Sequence, residues 1–178
     1  MLNGVGSAGK SSIARELQAI ATVPLLHVSM DAFLDTLPEP LRDDPGGFAY
    51  ETTVDAGKPS VAVAVGPLGE RLLAGMHRAV AALAMAGNGL IYDTVLTRPA
   101  DKADLRDALS SLAVSWVGVI APLDVLEERE ARRGDRLAGL ARWQFERVHD
   151  GMSYDLKVDT GKSSALECAE NIRLRLRL

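Results

Sequence analysis

Gly4-Val5-Gly6-Ser7-Ala8-Gly9-Lys10-Ser11 matches the pattern G-x-x-x-x-G-K-[ST] at every fixed position. Glycines in such a loop let successive backbone N–H groups turn inward around a phosphate, and the helix that follows adds the positive end of its dipole. The pattern places the Lys10 ammonium on the terminal phosphates and the Ser11 hydroxyl on Mg²⁺. The sequence therefore predicts that a nucleotide is bound by Gly4, Val5, Gly6, Ser7, Ala8, Gly9, Lys10, Ser11 and Ser12.

The residues around this loop predict a strand before it and a helix after it. Ile13, Leu17 and Ile20 lie at i, i+4 and i+7, which is the spacing of one helix face. Only Met1-Leu2-Asn3 precede the loop, so the predicted first strand is short. A chance glycine-rich turn is the alternative interpretation, and the helix that follows favours the phosphate loop.

Length, composition and net charge restrict the class of protein. The chain has 178 residues, 47% of them hydrophobic and 25% charged, which predicts one globular domain over residues 1–178. A net charge of −4 argues against a broad basic face for nucleic acid. The single cysteine, Cys168, and the lack of any apolar run of about 18 residues predict a cytoplasmic protein without a membrane span. Homo-oligomer formation is left open.

Apolar runs alternate with amphipathic segments along the chain, which is the pattern of a parallel sheet between helices. We predict an α/β protein, a P-loop kinase-like three-layer sandwich with a five-stranded, mostly parallel sheet and helices on both faces. After the short first strand, the predicted strands are Leu25–Met30, Leu90–Asp93, Trp116–Ile120 and Leu156–Asp159.

Acidic residues stand at the carboxyl ends of two predicted strands, where ligands of open α/β sheets bind. Asp31 follows the second strand and is predicted to face the substrate, although it could instead cap a short helix over 32–36. Asp93 ends the third strand and is predicted, with Ser11, to hold Mg²⁺ directly or through water. A turn-capping role is the alternative for Asp93.

Residues 38–67 are rich in Pro, Gly and acidic residues and are predicted to be an insertion beside the site. Within it, Phe48–Val54 and Val61–Val65 are predicted to pair as a hairpin or to form an ordered loop. Over residues 32–66 the many carboxylates are opposed only by Arg42 and Lys58. This balance favours an acceptor without phosphate, and a solvated acidic surface is the alternative.

A basic cluster over about 129–137 is predicted to form an arginine-bearing lid. Arg129 and Arg133 share one helix face at i and i+4, Gly134 predicts a break, and Arg136 follows it. Phosphoryl transfer needs cations over the nucleotide as charge spreads in the transition state. A solvated helix carrying Glu127, Glu128 and Glu130 is the alternative.

The loop that begins at Thr160 follows the last predicted strand and is predicted to form a wall for the adenine ring. Gly161-Lys162-Ser163 within it mimics the end of a phosphate loop. It is not a second such loop, because Leu156 occupies the position that requires the first glycine.

The chain resembles the chloramphenicol phosphotransferase family of P-loop kinases over nearly its whole length. Four stretches carry the resemblance: Leu2 to Ser11, Val28 to Asp31 with Leu34 and Pro38, Trp116 to Val119, and Arg129-Glu130 with Arg133 to Arg136. The later residues His149-Asp150-Gly151, Tyr154-Asp155 and Val158-Asp159-Thr160 also resemble the family. The resemblance implies ATP-dependent phosphorylation of a small-molecule hydroxyl. It also implies Asp31 as the base, Lys10 on the phosphates, and Arg133 and Arg136 in the lid.

Three features depart from the family's pattern. The first strand is shorter, the family's paired acids after the third strand become Asp93-Thr94, and residues 43–65 match poorly. We predict transfer of the ATP γ-phosphoryl group to an alcohol of a neutral or cationic small molecule, with chloramphenicol as the first candidate. A nucleotide or metabolite kinase and a non-enzymatic ATP-binding regulator are the alternatives.

Overall fold

The structure is a computed structural model that describes residues 1–134 and 137–178. The described elements, in chain order, are β1 (Leu2–Asn3), α1 (Lys10–Ile20), β2 (Leu25–Ser29), α2 (Met30–Leu34), a 3₁₀ turn (Glu39–Leu41), β3 (Phe48–Asp55), β4 (Lys58–Val65), α3 (Pro67–Met85), β5 (Gly89–Thr94), α4 (Pro99–Ala108), β6 (Val117–Ile120), α5 (Leu123–Arg133), α6 (Leu140–Phe145), β7 (Leu156–Asp159) and α7 (Ala165–Leu176).

A parallel five-stranded sheet with the order β2-β5-β1-β6-β7 forms the centre of the molecule. Successive side chains of a strand point to opposite faces, and β5 illustrates this directly. Ile91 packs into a core that contains Ile13 of α1 and Ile172 of α7. Its neighbour Tyr92 packs into a second core with Met76 of α3 and Leu105 of α4. The predicted α/β sandwich with helices on both faces is confirmed.

Strand β1 has only two residues, yet it lies at the centre of the sheet. Leu2 pairs with Asp93 on one side and Val117 on the other. The fully buried Asn3 side chain adds a hydrogen bond to the Val148 carbonyl (2.9 Å) and accepts one from the Leu96 amide (3.0 Å). These side-chain bonds anchor the short strand at the point where the phosphate loop begins.

The end of β2 differs from the prediction by one residue, with a consequence for Asp31. Strand β2 ends at Ser29, whose hydroxyl accepts a hydrogen bond from the Ala32 amide (3.2 Å) and so caps α2. Asp31 therefore lies in the first turn of α2. The alternative in which Asp31 caps a helix over 32–36 is wrong, because Ser29 already satisfies that helix end.

Strands β3 and β4 form an antiparallel hairpin within the predicted insertion, with Asp55 opposite Lys58. The two turn residues, Ala56 and Gly57, both have positive φ angles of 49° and 77°. Two-residue hairpin turns of this kind match the twist of the strands. The hairpin is separate from the central sheet and lies over one side of the site.

The segment predicted as a lid begins as regular helix. Arg129 and Arg133 lie on α5, which ends at Gly134 with a left-handed φ of 68°. The predicted break is therefore present, whereas Arg136 lies outside the described residues. In residues 1–134 and 137–178, no helix combines the length and apolar character needed to cross a membrane.

Candidate active site

The phosphate loop connects β1 to α1 at the carboxyl edge of the sheet. Ser7 and Gly9 adopt left-handed backbone conformations (φ 63° and 84°), which curve the chain around a concave surface. Gly4 approaches β6 closely, since a Cβ at this position would lie 2.4 Å from the Val119 carbonyl oxygen. The sequence pattern thus forms the compact loop that it predicts.

Lys10 is buried, and its ammonium group turns back onto its own loop. Lys10 Nζ donates to the carbonyl oxygens of Gly4 and Val5, each at 3.0 Å, and lies 3.8 Å from Asp93 Oδ1. The positive charge is therefore held at the floor of the loop, beside the predicted metal ligand. A phosphate in the loop would meet this charge at short range.

Ser11 and Asp93, predicted to share a metal ion, are in direct contact. Ser11 Oγ donates to Asp93 Oδ2 at 2.6 Å, and His27 Nε2 lies 3.4 Å from the same oxygen. Burial raises the pKa of Asp93, but the hydrogen bond from His27, the charge of Lys10 and the hydrogen bond from Ser11 outweigh it and hold this pKa below its ordinary value. Asp93 is thus a carboxylate at neutral pH.

This pair fits Mg²⁺ better than a metal that needs a closed protein cage. Among residues 1–134 and 137–178, no group of three or more His, Cys, Asp or Glu side chains could hold a metal ion. Mg²⁺ usually takes one or two protein ligands and completes its shell with water and substrate phosphates. The hydroxyl of Ser11 and the carboxylate of Asp93 supply such a partial set.

A cavity of about 420 Å³, here called the loop cavity, lies over the phosphate loop. It brings together the loop and residues from four other parts of the chain. Its lining includes Gly6, Ser7, Gly9, Lys10, Ser11, Ser12, Asp31, Asp93, Arg129, Arg133 and Thr160. Three other residues predicted to bind the nucleotide are buried behind the loop surface instead: Gly4, Val5 and Ala8.

Arg129 and Thr160 are bonded to each other and to the phosphate loop. The Arg129 guanidinium donates to the Thr160 hydroxyl (3.0 Å) and to its carbonyl oxygen (2.7 Å). The Thr160 hydroxyl in turn donates to the Ala8 carbonyl at 2.9 Å. Arg129 is therefore fixed to the wall of the loop cavity, and the exposed Arg133, one helical turn later, also lines a second cavity next to it.

Two further cavities meet the loop cavity at Asp31. The outer cavity, about 440 Å³, is lined by Asp31, Leu34, Asp35, Leu37, Arg42, Phe48, Tyr50, Arg133, Leu137 and Leu140. The inner cavity, about 90 Å³, lies under the hairpin, and its walls include Asp31, Phe48, Tyr50, Val63, Trp143 and Gln144. Asp31 lines all three cavities, so one carboxylate borders both the cavity over the phosphate loop and the two compartments beside it.

The two cations of the insertion are engaged in protein contacts. Arg42 donates to the carbonyl oxygens of Leu37 (3.1 Å) and Asp35 (2.7 Å), and also pairs with the Asp35 carboxylate. Lys58, at the hairpin turn, donates to Glu127 Oε2 on α5 at 2.6 Å. Lys58 lines neither the outer nor the inner cavity among the residues the structure describes.

The alternative to the lid, a solvated helix that carries Glu130 on its exposed face, is wrong for this residue. Glu130 is 5% exposed, and its carboxylate accepts hydrogen bonds from the Gly139 and Ala141 amides, both at 2.8 Å. The signal was present in the sequence, because Glu130 follows the buried Leu126 by four residues and so shares its helix face.

Gln144 and His27 were also missed by the sequence analysis. Gln144 Oε1 accepts a hydrogen bond from the Gly6 amide of the phosphate loop at 2.8 Å. His27 reaches Asp93 from the neighbouring strand. Neither belongs to a motif, although the strand position of His27 next to the Asp93 strand gave a weak signal.

The sequence model of the family described as chloramphenicol phosphotransferase-like protein matches residues 1–177. The chain belongs to this family. Two curated proteins, from two strains of Mycobacterium tuberculosis and both named "Putative O-phosphotransferase", are 29% identical over 177 residues, which cover 97% of this chain and 79% of theirs.

Solved structures of two kinases and of a resistance protein share the fold. A sugar kinase from Janibacter sp. superposes with a TM-score of 0.71 at 18% identity and covers 99% of this chain and 92% of its own. The Mycobacterium tuberculosis APS kinase, solved with AMPPNP and APS, gives 0.68 at 16% identity, with coverage of 99% and 95%. The Deinococcus radiodurans tunicamycin resistance protein gives 0.67 at 19%, with coverage of 99% and 94%. The family member described here therefore has a P-loop kinase fold. The family model and the curated relatives, not these structures, place it among the phosphotransferases.

Proposed function

We propose that this family member transfers the γ-phosphoryl group of ATP, with Mg²⁺, to an alcohol hydroxyl of a small, uncharged molecule. The observation that carries the proposal is the position of Asp31, which borders the loop cavity and both neighbouring cavities. A hydroxyl held by Asp31 would lie between the two compartments, where in-line transfer requires it.

The nucleotide side supplies charge and hydrogen-bond donors. Apart from the Gly6 amide, which donates to Gln144, the amides of the loop would bind the phosphates together with the Lys10 ammonium. Arg129 and Thr160 would fix the wall beside the adenosine. Ser11 and Asp93 would hold Mg²⁺, which neutralises charge on the phosphate oxygens. Arg133 and Arg136 are proposed to stabilise the charge that spreads over the transferred group.

Asp31 is proposed to orient the acceptor hydroxyl and to accept its proton. A carboxylate is a weak base toward an alcohol, but phosphoryl transfer passes through a loose transition state. The proton can therefore leave late in the reaction, and orientation is the main contribution of Asp31.

The acceptor side favours an uncharged molecule. Phe48, Tyr50 and Trp143 provide aromatic walls. An acceptor that carries phosphate or carboxylate would call for a bidentate arginine. Of the two arginines that line the outer cavity, Arg42 is already bonded to Asp35, and Arg133 is assigned to the transferred phosphoryl group. Chloramphenicol, an aromatic alcohol, is the first acceptor to test on the strength of the family.

The test is ADP release with Mg²⁺ and ATP against a panel of alcohols that includes chloramphenicol, sugars and phosphorylated metabolites. Asp31→Asn keeps the shape of the side chain and should lower the acceptor-dependent kcat by about 10²–10⁴-fold. Asp107→Asn, an exposed change on α4, is the matched control and should leave kcat unchanged. Near-normal turnover by Asp31→Asn would refute its role. Tight ATP binding without acceptor-dependent ADP release for any alcohol would favour a regulator.

A further inference from the structure

Gln144 contacts the phosphate loop and also lines the inner cavity. Its side-chain oxygen accepts the hydrogen bond from the Gly6 amide at 2.8 Å, and Gly6 lines the loop cavity. The same side chain lines the inner cavity together with Asp31 and Tyr50. Gln144 is therefore a direct connection between the phosphate loop and the compartment beside Asp31.

The side-chain oxygen of Gln144 accepts a hydrogen bond from the protein, and its amino group carries two further donors. Because an N–H group needs an acceptor, the bond from Gly6 fixes the side-chain oxygen toward the loop. The Nε2 amino group carries two donors, and across residues 1–134 and 137–178 it makes no hydrogen bond. Two donors therefore remain for a ligand that enters the inner cavity.

Helix α6, which carries Gln144, is held by both helix α5 and the β3–β4 hairpin. The buried Glu130 of α5 binds the amides of Gly139 and Ala141 at the start of α6. The Val61 amide of β4 donates to the Gly139 carbonyl at 3.0 Å. This frame limits the movement of Gln144 relative to the cavity wall.

We propose that Gln144 is a positioning and specificity residue that holds Gly6 through its oxygen and an oxygen of the bound acceptor through Nε2. The acceptor class is thereby narrowed to alcohols that carry a second oxygen, hydroxyl or carbonyl, close to the reacting hydroxyl. The inference rests on the proposed function. Acceptor binding at Nε2 steadies the loop next to the phosphoryl group that is transferred.

Two variants test the side-chain oxygen and the Nε2 donors of Gln144 separately. Gln144→Met keeps the side-chain length but removes the oxygen and the donors. Gln144→Glu keeps an oxygen for the Gly6 amide and removes the donors. Gln18→Met is the matched control, because Gln18 lies at an exposed position of α1, where its amide donates to the Leu25 carbonyl.

The first readout is hydrogen exchange at the Gly6 amide in the ligand-free protein, measured by NMR. Gln144→Met should accelerate this exchange by about tenfold or more, whereas Gln144→Glu and Gln18→Met should leave it near the wild-type rate. This measurement needs no acceptor. An unchanged rate in Gln144→Met would overturn the loop half of the inference, whether or not the proposed function holds.

The second readout is acceptor kinetics with the best alcohol from the panel. Gln144→Met and Gln144→Glu should both raise the acceptor KM by about 10–100-fold, because both lose the donors. The ATP affinity of Gln144→Met, measured by calorimetry, should stay within about threefold, since Gly6 already donates to Gln144 rather than to phosphate. An acceptor KM within threefold of wild type in both variants would overturn the acceptor half. Failure of the wild type to use any alcohol would instead refute the proposed function.

Discussion

The Ser11 hydroxyl lies 2.6 Å from Asp93 Oδ2 and donates a hydrogen bond to it. The two residues come from the start of α1 and the end of β5, and the parallel pairing of β1 with β5 brings them together. A hydroxyl and a carboxylate at this distance form a ready partial shell for a divalent cation. Their contact links the phosphate loop to the rest of the sheet edge.

Substitution of this pair should change nucleotide binding only when metal is present. Ser11→Ala and Asp93→Asn are each expected to weaken ATP binding by about tenfold or more in Mg²⁺, because one metal ligand is lost. When EDTA removes Mg²⁺, the affinity of each variant for ATP should equal or exceed that of the wild type. Calorimetry under both conditions measures this, with Ser110→Ala as an exposed control. An equal loss with and without Mg²⁺ would contradict the metal assignment.

Lys10→Met should abolish measurable ATP binding or weaken it by about 100-fold or more, because the triphosphate loses its buried cation. The variant also loses the hydrogen bonds to the Gly4 and Val5 carbonyls, so the unfolding temperature must be recorded alongside. Lys157→Met, an exposed change on β7, serves as the control. A folded Lys10→Met protein with wild-type ATP affinity would refute the phosphate loop.

Thr160→Val and Thr160→Ser test the bond between the cavity wall and the loop. Valine removes the hydroxyl that donates to Ala8 and accepts from Arg129, whereas serine keeps it. We expect Thr160→Val to weaken ATP binding by about 5–30-fold and Thr160→Ser to stay within about threefold of wild type. Equal affinities for the two variants would show that the hydroxyl does not matter for binding.

Glu130→Ala should lower the free energy of unfolding by about 1–3 kcal/mol, because two buried amides of the segment before and within α6 lose their acceptor. Glu128→Ala removes an exposed pair with Arg132 and should cost less than about 1 kcal/mol. Urea denaturation of both variants gives the comparison. The inference that Glu130 anchors α6 would fail if the two changes were equally mild.

His149 should make stability depend on pH in the acidic range. Burial and the positive charges of Lys157, Lys10 and Lys102 hold the pKa of His149 below its ordinary value of 6.5. The unfolded chain then binds more protons between the two pKa values, so the stabilisation is complete above pH 6.5 and is lost as the pH falls through the folded-state pKa. Urea midpoints measured on either side of pH 6.5 should show this decline in the wild type and a smaller one in His149→Gln. A steeper decline of the urea midpoint in His149→Gln than in the wild type would contradict this role of His149.

The elements that could be predicted from the sequence are those set by local patterns. The phosphate loop follows from eight contiguous residues, and strand β5, predicted as Leu90–Asp93 and observed as Gly89–Thr94, follows from an apolar run closed by an acid. The hairpin strands follow from β-branched runs on either side of a turn. In each case the physical cause lies within a few neighbouring positions.

The contacts that could not be predicted join residues far apart in the chain. Gln144 binds Gly6 across 138 positions, and His27 meets Asp93 across 66. Glutamine and histidine occur in many structural settings, so neither residue type predicts such a contact when the fold is unknown. The solvated-helix alternative misplaced Glu130 because its neighbours in sequence are charged, while its own helix face is buried. The catalytic roles of Asp31, Arg133 and Arg136 stay predictions.

Tyr50 and Val63 face each other across the β3–β4 hairpin, and both line the inner cavity. The main-chain bond from Val61 and the contact of Lys58 with Glu127 hold the same hairpin in place from elsewhere along β4. The size of this compartment and its attachment to the body of the protein are thus encoded at separate positions. Engineers who wish to retarget the protein can vary positions 50 and 63 as a pair and leave the anchoring positions untouched.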